Sequence, residues 1–207
     1  VAVFTIYSSV ESWVASHNAG YATMRAGSGL WNGGANCGSE WVGQKYDPAT
    51  PEYIAYEGFQ RYDTSGLAGQ TLISADFWLY FAYSYPAAPG VTITYEVRSK
   101  TFPASTVDNT FWVPGANLGN YTRVGYWVYP NNATANIYKI TNESVLASIN
   151  KTGYTDYVLS SNRLRLGNTP TTDEFAWFVQ ADSRGFLRVT TEDPPAPSRL
   201  NSANRLW

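Results

Sequence analysis

Between residues 53 and 62 the chain reads Y-I-A-Y-E-G-F-Q-R-Y. Run as a strand, this stretch divides its side chains by parity: Glu57, Phe59, Arg61 and Asp63 point one way, Tyr56, Gly58, Gln60 and Tyr62 the other. Alternation with β-branched and aromatic enrichment predicts further strands, giving segments near 3–7, 22–26, 53–62, 72–83, 91–99, 123–129, 135–140, 154–159, 163–167, 174–180 and 185–191. Turn-forming clusters separate them, among them TSGLAG, VPGANLGN, YPNN, LGNTP and DSRG. Short strands at this spacing predict an all-β fold, a single-domain β-sandwich of jelly-roll type with little helix. The one helical pattern is NESVLASIN, where Asn142 is placed to cap a short helix carrying Val145, Leu146 and Ile149 on one side.

No fixed-period repeat runs through the chain, which argues against a propeller or solenoid. The longest irregular stretch spans residues 26–52, longer than an ordinary connector and so expected to be a functional loop. Trp31, Trp41 and Tyr46 inside it argue that the loop is ordered. With no Pro/Ser-rich linker, residues 1–207 read as one domain.

Composition sharpens this picture. Aromatic residues make up 16% of the chain and charged residues only 14%, so solubility falls to Ser, Thr, Asn and Gly. A net charge of −2 with scattered basic residues gives no reason to expect nucleic acid. No apolar run approaches a membrane span, so no membrane insertion is expected, and residues 1–12 lack the pattern of a signal peptide. A chain that begins at Val1 is expected to have lost or omitted something upstream. Cys37 is the single cysteine, so an internal disulfide is excluded and the thiol is read as functionless. Asn120, Asn132, Asn142 and Asn150 each open a glycosylation triplet, meaningful only in a source that glycosylates.

Four blocks in fixed order resemble a known family. NAGYATMRAG (18–27), GFQRYDTSGL (58–67), SADFWLYF (74–81) and the terminal FVQADSRG through EDPPAP are similar to the conserved segments of DNRLRE-type β-sandwich modules. Such modules occur in carbohydrate-binding regions of secreted proteins, and similar sequences occur in phage minor tail and surface proteins. The resemblance implies a β-sandwich at a cell or virion exterior. It also places Arg61 and Asp63 in a structural signature, where they satisfy backbone groups or each other at a strand end. The long loop and residues 100–152 fall outside the four blocks.

The residues offer little catalytic chemistry. His17 is the sole histidine and reads as a solvent-facing turn residue, and no zinc, serine-hydrolase or phosphate-loop motif is present. A glycosidase needs only two carboxylates, for which Glu40 with Glu52, or Glu57 with Asp63, are the candidates. The expectation is nevertheless that the chain is not an enzyme. No cofactor is expected; a structural calcium ion would look to the acidic pairs Asp173-Glu174 and Glu192-Asp193.

Binding finds better material. Sugar rings stack on Trp and Tyr and hydrogen-bond to amides and charged groups. In the long loop Trp31, Trp41 and Tyr46 alternate with Asn32 and Asn36; between 111 and 129, Trp112, Tyr121 and Trp127 are interleaved with Asn117, Asn120 and Arg123. Trp31, Trp41, Tyr46, Trp112, Tyr121 and Trp127 are therefore the candidate ligand-binding residues, whereas Trp78, Phe81 and Trp177 are expected in the core. The expected function is non-catalytic recognition outside a cell or on a virion, with a glycan or cell-surface polysaccharide as partner. The alternatives are a structural virion or appendage protein working through subunit contacts and, second, a glycoside-active enzyme.

Overall fold

The aromatic and charged stretch at 53–62 belongs to strand β4 (Glu52–Asp63), and in the computed structural model, which describes residues 1–34, 39–84, 90–103, 107–129, 136–179 and 185–192, both of its faces are covered. Before it come β1 (Ala2–Asn18), α1 (Tyr21–Gly27), β2 (Trp31–Asn32) and β3 (Ser39–Asp47). After it come β5 (Leu72–Ser84), β6 (Ile93–Ser99), β7 (Arg123–Tyr129), β8 (Asn136–Lys139), β9 (Thr141–Asn142), α2 (Val145–Ser148), β10 (Tyr154–Ser161), α3 (Asn162–Leu166), β11 (Glu174–Val179) and β12 (Phe186–Thr191). The architecture is all-β and sandwich-like, with helices of at most seven residues.

All described strand pairs are antiparallel and belong to one network, in the order β2-β1-β12-β5-β11-β3-β4-β10-β6-β7-β9, with β8 added on β5. This path alone does not define a jelly roll. Its organising feature is β1, which pairs with β12 over Ala2–Tyr7 and then, across an irregularity between Ser8 and Val10, with β4 down to Asn18. The circuit β1–β12–β5–β11–β3–β4 therefore returns to β1.

Parity along β4 sorts its side chains into two cores. Tyr62 enters the larger one with Phe77, Leu79, Phe81 and Tyr157, and Phe59 enters a second one with Phe102, Phe111, Leu118 and Val158. Beside Tyr62 lies a buried polar group: the Tyr62 hydroxyl donates to Gln60 Oε1 at 2.5 Å and Gln60 Nε2 donates to Glu40 Oε2 at 2.7 Å. Across the strand pair from Gln60, Glu11 accepts from the Ser8 hydroxyl.

The charges of the Phe59 face are each accounted for differently. Arg61 forms a two-pronged bridge to Asp156 on β10, both contacts at 2.7 Å, and also donates to Phe102 O; Asp156 Oδ2 in turn accepts from Phe102 N at 2.9 Å. The side chains are 8% and 2% exposed, so this is a buried pair that pins the chain after β6 onto the sheet. Asp63 does not join it. It is exposed at the turn, where its carboxylate accepts from the backbone and hydroxyl of Ser65. Glu57 is fully buried, and Oε2 accepts from Val113 N at 2.9 Å while Oε1 has no hydrogen-bond partner among the described residues. Burial pushes its carboxyl well above the usual range, against the smaller pull of the Val113 N–H and of Lys100.

Local chemistry overrode alternation at several points. Residues 22–26, expected as a strand, are the helix α1, which buries Met24 and stops at Gly27; there φ is +97° and a Cβ would lie 2.6 Å from the Trp112 ring. Residues 163–167, also expected as a strand, form α3, with Ser161 Oγ accepting from Leu164 N and Gly167 closing the helix at φ 78°. The long loop expected over 26–52 contains β2 and β3, so Trp31, Trp41 and Tyr46 stand on strands. The helix expected in NESVLASIN is one turn, preceded by Ser144; Asn142 instead donates to Asp76 Oδ1 at 2.6 Å.

Three outcomes follow from β4. Arg61→Ala or Asp156→Ala, by leaving one buried charge alone, lowers unfolding free energy by about 3–5 kcal/mol in denaturant titrations, and a loss within experimental error would remove the pair from the fold's essential contacts. Asp63→Ala leaves the melting temperature nearly unchanged. For Glu57 the folded pKa lies above the unfolded one, so its contribution is fully present below the unfolded pKa of about 4.3 and is lost as pH rises toward the folded value. Glu57→Gln removes that dependence: relative to the parent, the variant gains stability as pH is raised from about 4.5 to 7.5, whereas parallel urea profiles would show that Glu57 titrates normally.

Candidate functional site

The face of β4 that carries Tyr56 continues across its neighbours as an aromatic surface. On β1, Trp13, Ala15 and His17 stand opposite Gly58, Tyr56 and Ile54. On β3, Gly43 stands opposite Tyr56 on one side and Phe175 of β11 on the other, and Trp41 pairs with Trp177. Short β2 brings Trp31 beside Ala15. Gly43 lets β3 and β11 approach closely, since a Cβ there would lie 2.7 Å from Phe175 Cα, and Gly58 makes room for a buried side chain, since a Cβ there would lie 2.6 Å from Glu40 Oε1.

The rings form a connected series. Trp31 meets Trp13 edge-on with centroids 6.3 Å apart; Trp13 lies 6.2 Å from Trp41 at 30°; Trp41 stacks on Phe175 at 5.5 Å and 10° and reaches Trp177 at 6.4 Å. Tyr56 and Phe175 are the buried floor, Trp13, Trp31 and Trp41 are half-buried, and Trp177 is 37% exposed. Trp177 is thus a surface residue and not the core residue its apolar strand suggested. At the Trp31 end, His17 packs its ring 4.7 Å away and its Nδ1 lies 3.1 Å from Glu52 Oε2. His17 is therefore the end of a long strand with a carboxylate partner, where a free turn residue was expected.

Beside this surface opens a cleft of about 340 Å³ lined by Lys45, Tyr46, Asp47, Thr171, Thr172 and Asp173. Burial raises the Asp173 carboxyl; Lys45 pulls it back and Asp47 adds to the rise. The same two aspartates, after burial, push the Tyr56 phenol upward, which places Tyr56 within their field and keeps its hydroxyl protonated.

Of the six residues proposed from sequence, the structure brings Trp31 and Trp41 together and puts Tyr46 in the neighbouring cleft, where it packs on Tyr53 at 4.9 Å. The others lie elsewhere. Trp112 is 7% exposed in the second core, and Trp127 is 9% exposed and stacked on Tyr95 at 4.6 Å in the first. Tyr121 follows a 3-10 turn at Gly115–Asn120, half-buried against the second core. A ring whose faces are already packed has none left for a ligand, so Trp112 and Trp127 leave the candidate site. Asn36 and Cys37 lie outside the described residues. Trp13 and Trp177 were missed, although the alternation of Trp13, Ala15 and His17 in ESWVASHN would have extended β1 and exposed the first of them.

The carboxylates weighed for hydrolysis do not converge as they were paired. Glu40 is buried beside Gln60, Glu52 sits with His17, Glu57 is buried under Val113, and Asp63 caps a turn. In the Asp173-Glu174 pair weighed for calcium, Glu174 is buried and its Oε2 is taken by Arg163 at 2.6 Å and Gln44 at 3.0 Å. Asp193, of the other pair, lies outside the described residues, among which no group of three or more His, Cys, Asp or Glu could hold a metal ion. Of the glycosylation triplets, Asn120 and Asn150 are exposed, Asn142 spends its amide on Asp76, and Asn132 is not among the described residues.

No helix of the described residues is long and apolar enough to cross a membrane. A scan against protein-family models finds no match for this chain, and a search of curated proteins finds no similar sequence.

Proposed function

We propose that this chain is a non-catalytic recognition module of a cell or virion exterior, binding a glycan across the surface of Trp31, Trp13, Trp41 and Trp177. The observation that carries the reading is the connected row of indole rings, partly open to solvent, beside a cleft of carboxylate, ammonium and hydroxyl groups. Aromatic faces take up the C–H faces of sugar rings, and the charged and hydroxyl groups of the cleft suit the hydroxyls of an adjoining residue. The blocks similar to DNRLRE-type modules favour the same setting.

A second reading is assembly into a particle or appendage, since an exposed tryptophan on a rigid sheet is also a preferred anchor between protein subunits. Stoichiometry separates the two.

A glycan array run beside size-exclusion chromatography with light scattering tests both. The expected result is a monodisperse chain with an array hit whose affinity falls about tenfold, or about 1–2 kcal/mol, in Trp177→Ala, with the far-UV spectrum unchanged. A silent array with self-association favours assembly, and conversion of the hit to shorter sugars refutes the non-catalytic assignment.

A further inference from the structure

A second group of surface aromatics lies on the outward face of the first half of β1, β12 and β5. Register places Tyr7 beside Phe186 and Phe186 beside Trp78, one residue from each of three adjacent strands. Their rings follow that order: Tyr7 to Phe186 is 5.9 Å between centroids, and Phe186 to Trp78 is 5.7 Å with only 14° between the planes. Tyr7 is 56% exposed.

The next row of the same face carries Arg188 opposite both Thr5 and Asp76. Its guanidinium lies 5.5 Å from the Trp78 ring centroid, is exposed, and makes no hydrogen bond or ion pair among the described residues. Asp76, the nearest carboxylate by register, accepts a hydrogen bond from Asn142 at 2.6 Å. Trp78 Nε1–H is buried without an acceptor among the described residues, so this indole serves the surface through its ring.

A planar guanidinium, steadied by an indole and with its N–H groups unspent, is matched to a two-oxygen anion. The exposed Tyr7 ring, at the other end of the row from Trp78, is matched to an apolar sugar face. We propose that Tyr7, Phe186, Trp78 and Arg188 form a subsite for an acidic glycan, in which the carboxylate of a uronic or sialic acid residue meets Arg188 while the glycan lies along the ring row toward Tyr7. The subsite rests on the glycan reading for its class of ligand and not for its location, since it shares no residue with the Trp13–Trp177 surface.

The test is titration of the ¹⁵N-labelled chain with tetragalacturonate, an unsulfated chondroitin tetrasaccharide and 3′-sialyllactose, each beside its carboxyl-reduced form. The expected result is perturbation of the Arg188 Nε and Trp78 indole signals by at least one acidic probe and not by its reduced form. Affinity should fall about tenfold or more in Arg188→Gln, fall in Tyr7→Ala, and stay unchanged in Leu166→Ala, an exposed position on neither surface. Exposed Arg188 and Tyr7 can be replaced without opening a core, so intact spectra elsewhere certify the fold. The subsite is refuted if no acidic probe shifts these signals, if reduced and acidic forms bind alike, if Arg188→Gln binds as the parent does, or if Tyr7→Ala acts only by dissolving a dimer. Loss of acidic-probe binding in Trp177→Ala with Arg188→Gln unaffected would move the ligand to the first surface, refuting the subsite while leaving the glycan reading intact.

Discussion

Strand β4 has no solvent face over most of its length, and the rest of the structure is arranged around that constraint. One side meets the interior shared with β5 and β10; the other is covered by the chain between β6 and β7. A polar or charged group on such a strand must be paired, satisfied or neutral. Arg61, Gln60 and Glu57 take these three routes in turn: a two-pronged bridge to Asp156, hydrogen bonds to Glu40 and Tyr62, and a carboxyl whose burial favours the protonated form. The covering segment is fixed by the same groups, because Arg61 and Asp156 both hold Phe102 and Glu57 holds Val113.

Alternation along the chain was enough to read the all-β class and most strands, since a strand with one covered face writes its burial into every second residue. It failed where that rule does not apply. In α3 the sequence S-N-R-L-R-L-G carries a cap at each end, and the caps outweigh the alternation of Arg and Leu. In β3 the inward residues are Glu40, Val42 and Gln44, polar at two of three positions, so the strand looked like loop.

The candidate site was half legible for a different reason. Local sequence shows that a tryptophan is near turns and amides, but not whether another segment covers it. Trp112 and Trp177 illustrate the inversion: the first sits in a stretch that reads as loop and is sealed by Gly27 and its helix, and the second sits in an apolar strand and faces outward. Exposure here is decided by contacts between residues far apart in sequence, such as Trp41 with Trp177 across β3 and β11. Gly43, which admits the β11 backbone, and Gly58, which admits the Glu40 side chain, acquire their meaning only once the strands are paired.

The divided partnership of β1 governs how this chain reaches its fold. Its first residues pair with Phe186–Thr191 and its later ones with β4, so the sheet circuit cannot close until β1 meets a strand more than 160 residues further along the chain. Pairings of such sequence separation slow folding, because loop-closure entropy is lost before the contacts that compensate it form. Until β12 arrives, the first half of β1 and one edge of β5 are unpaired strand edges, the kind of surface on which chains misassociate. The closure that holds the finished molecule together is therefore also the step at which its biosynthesis is most exposed to aggregation.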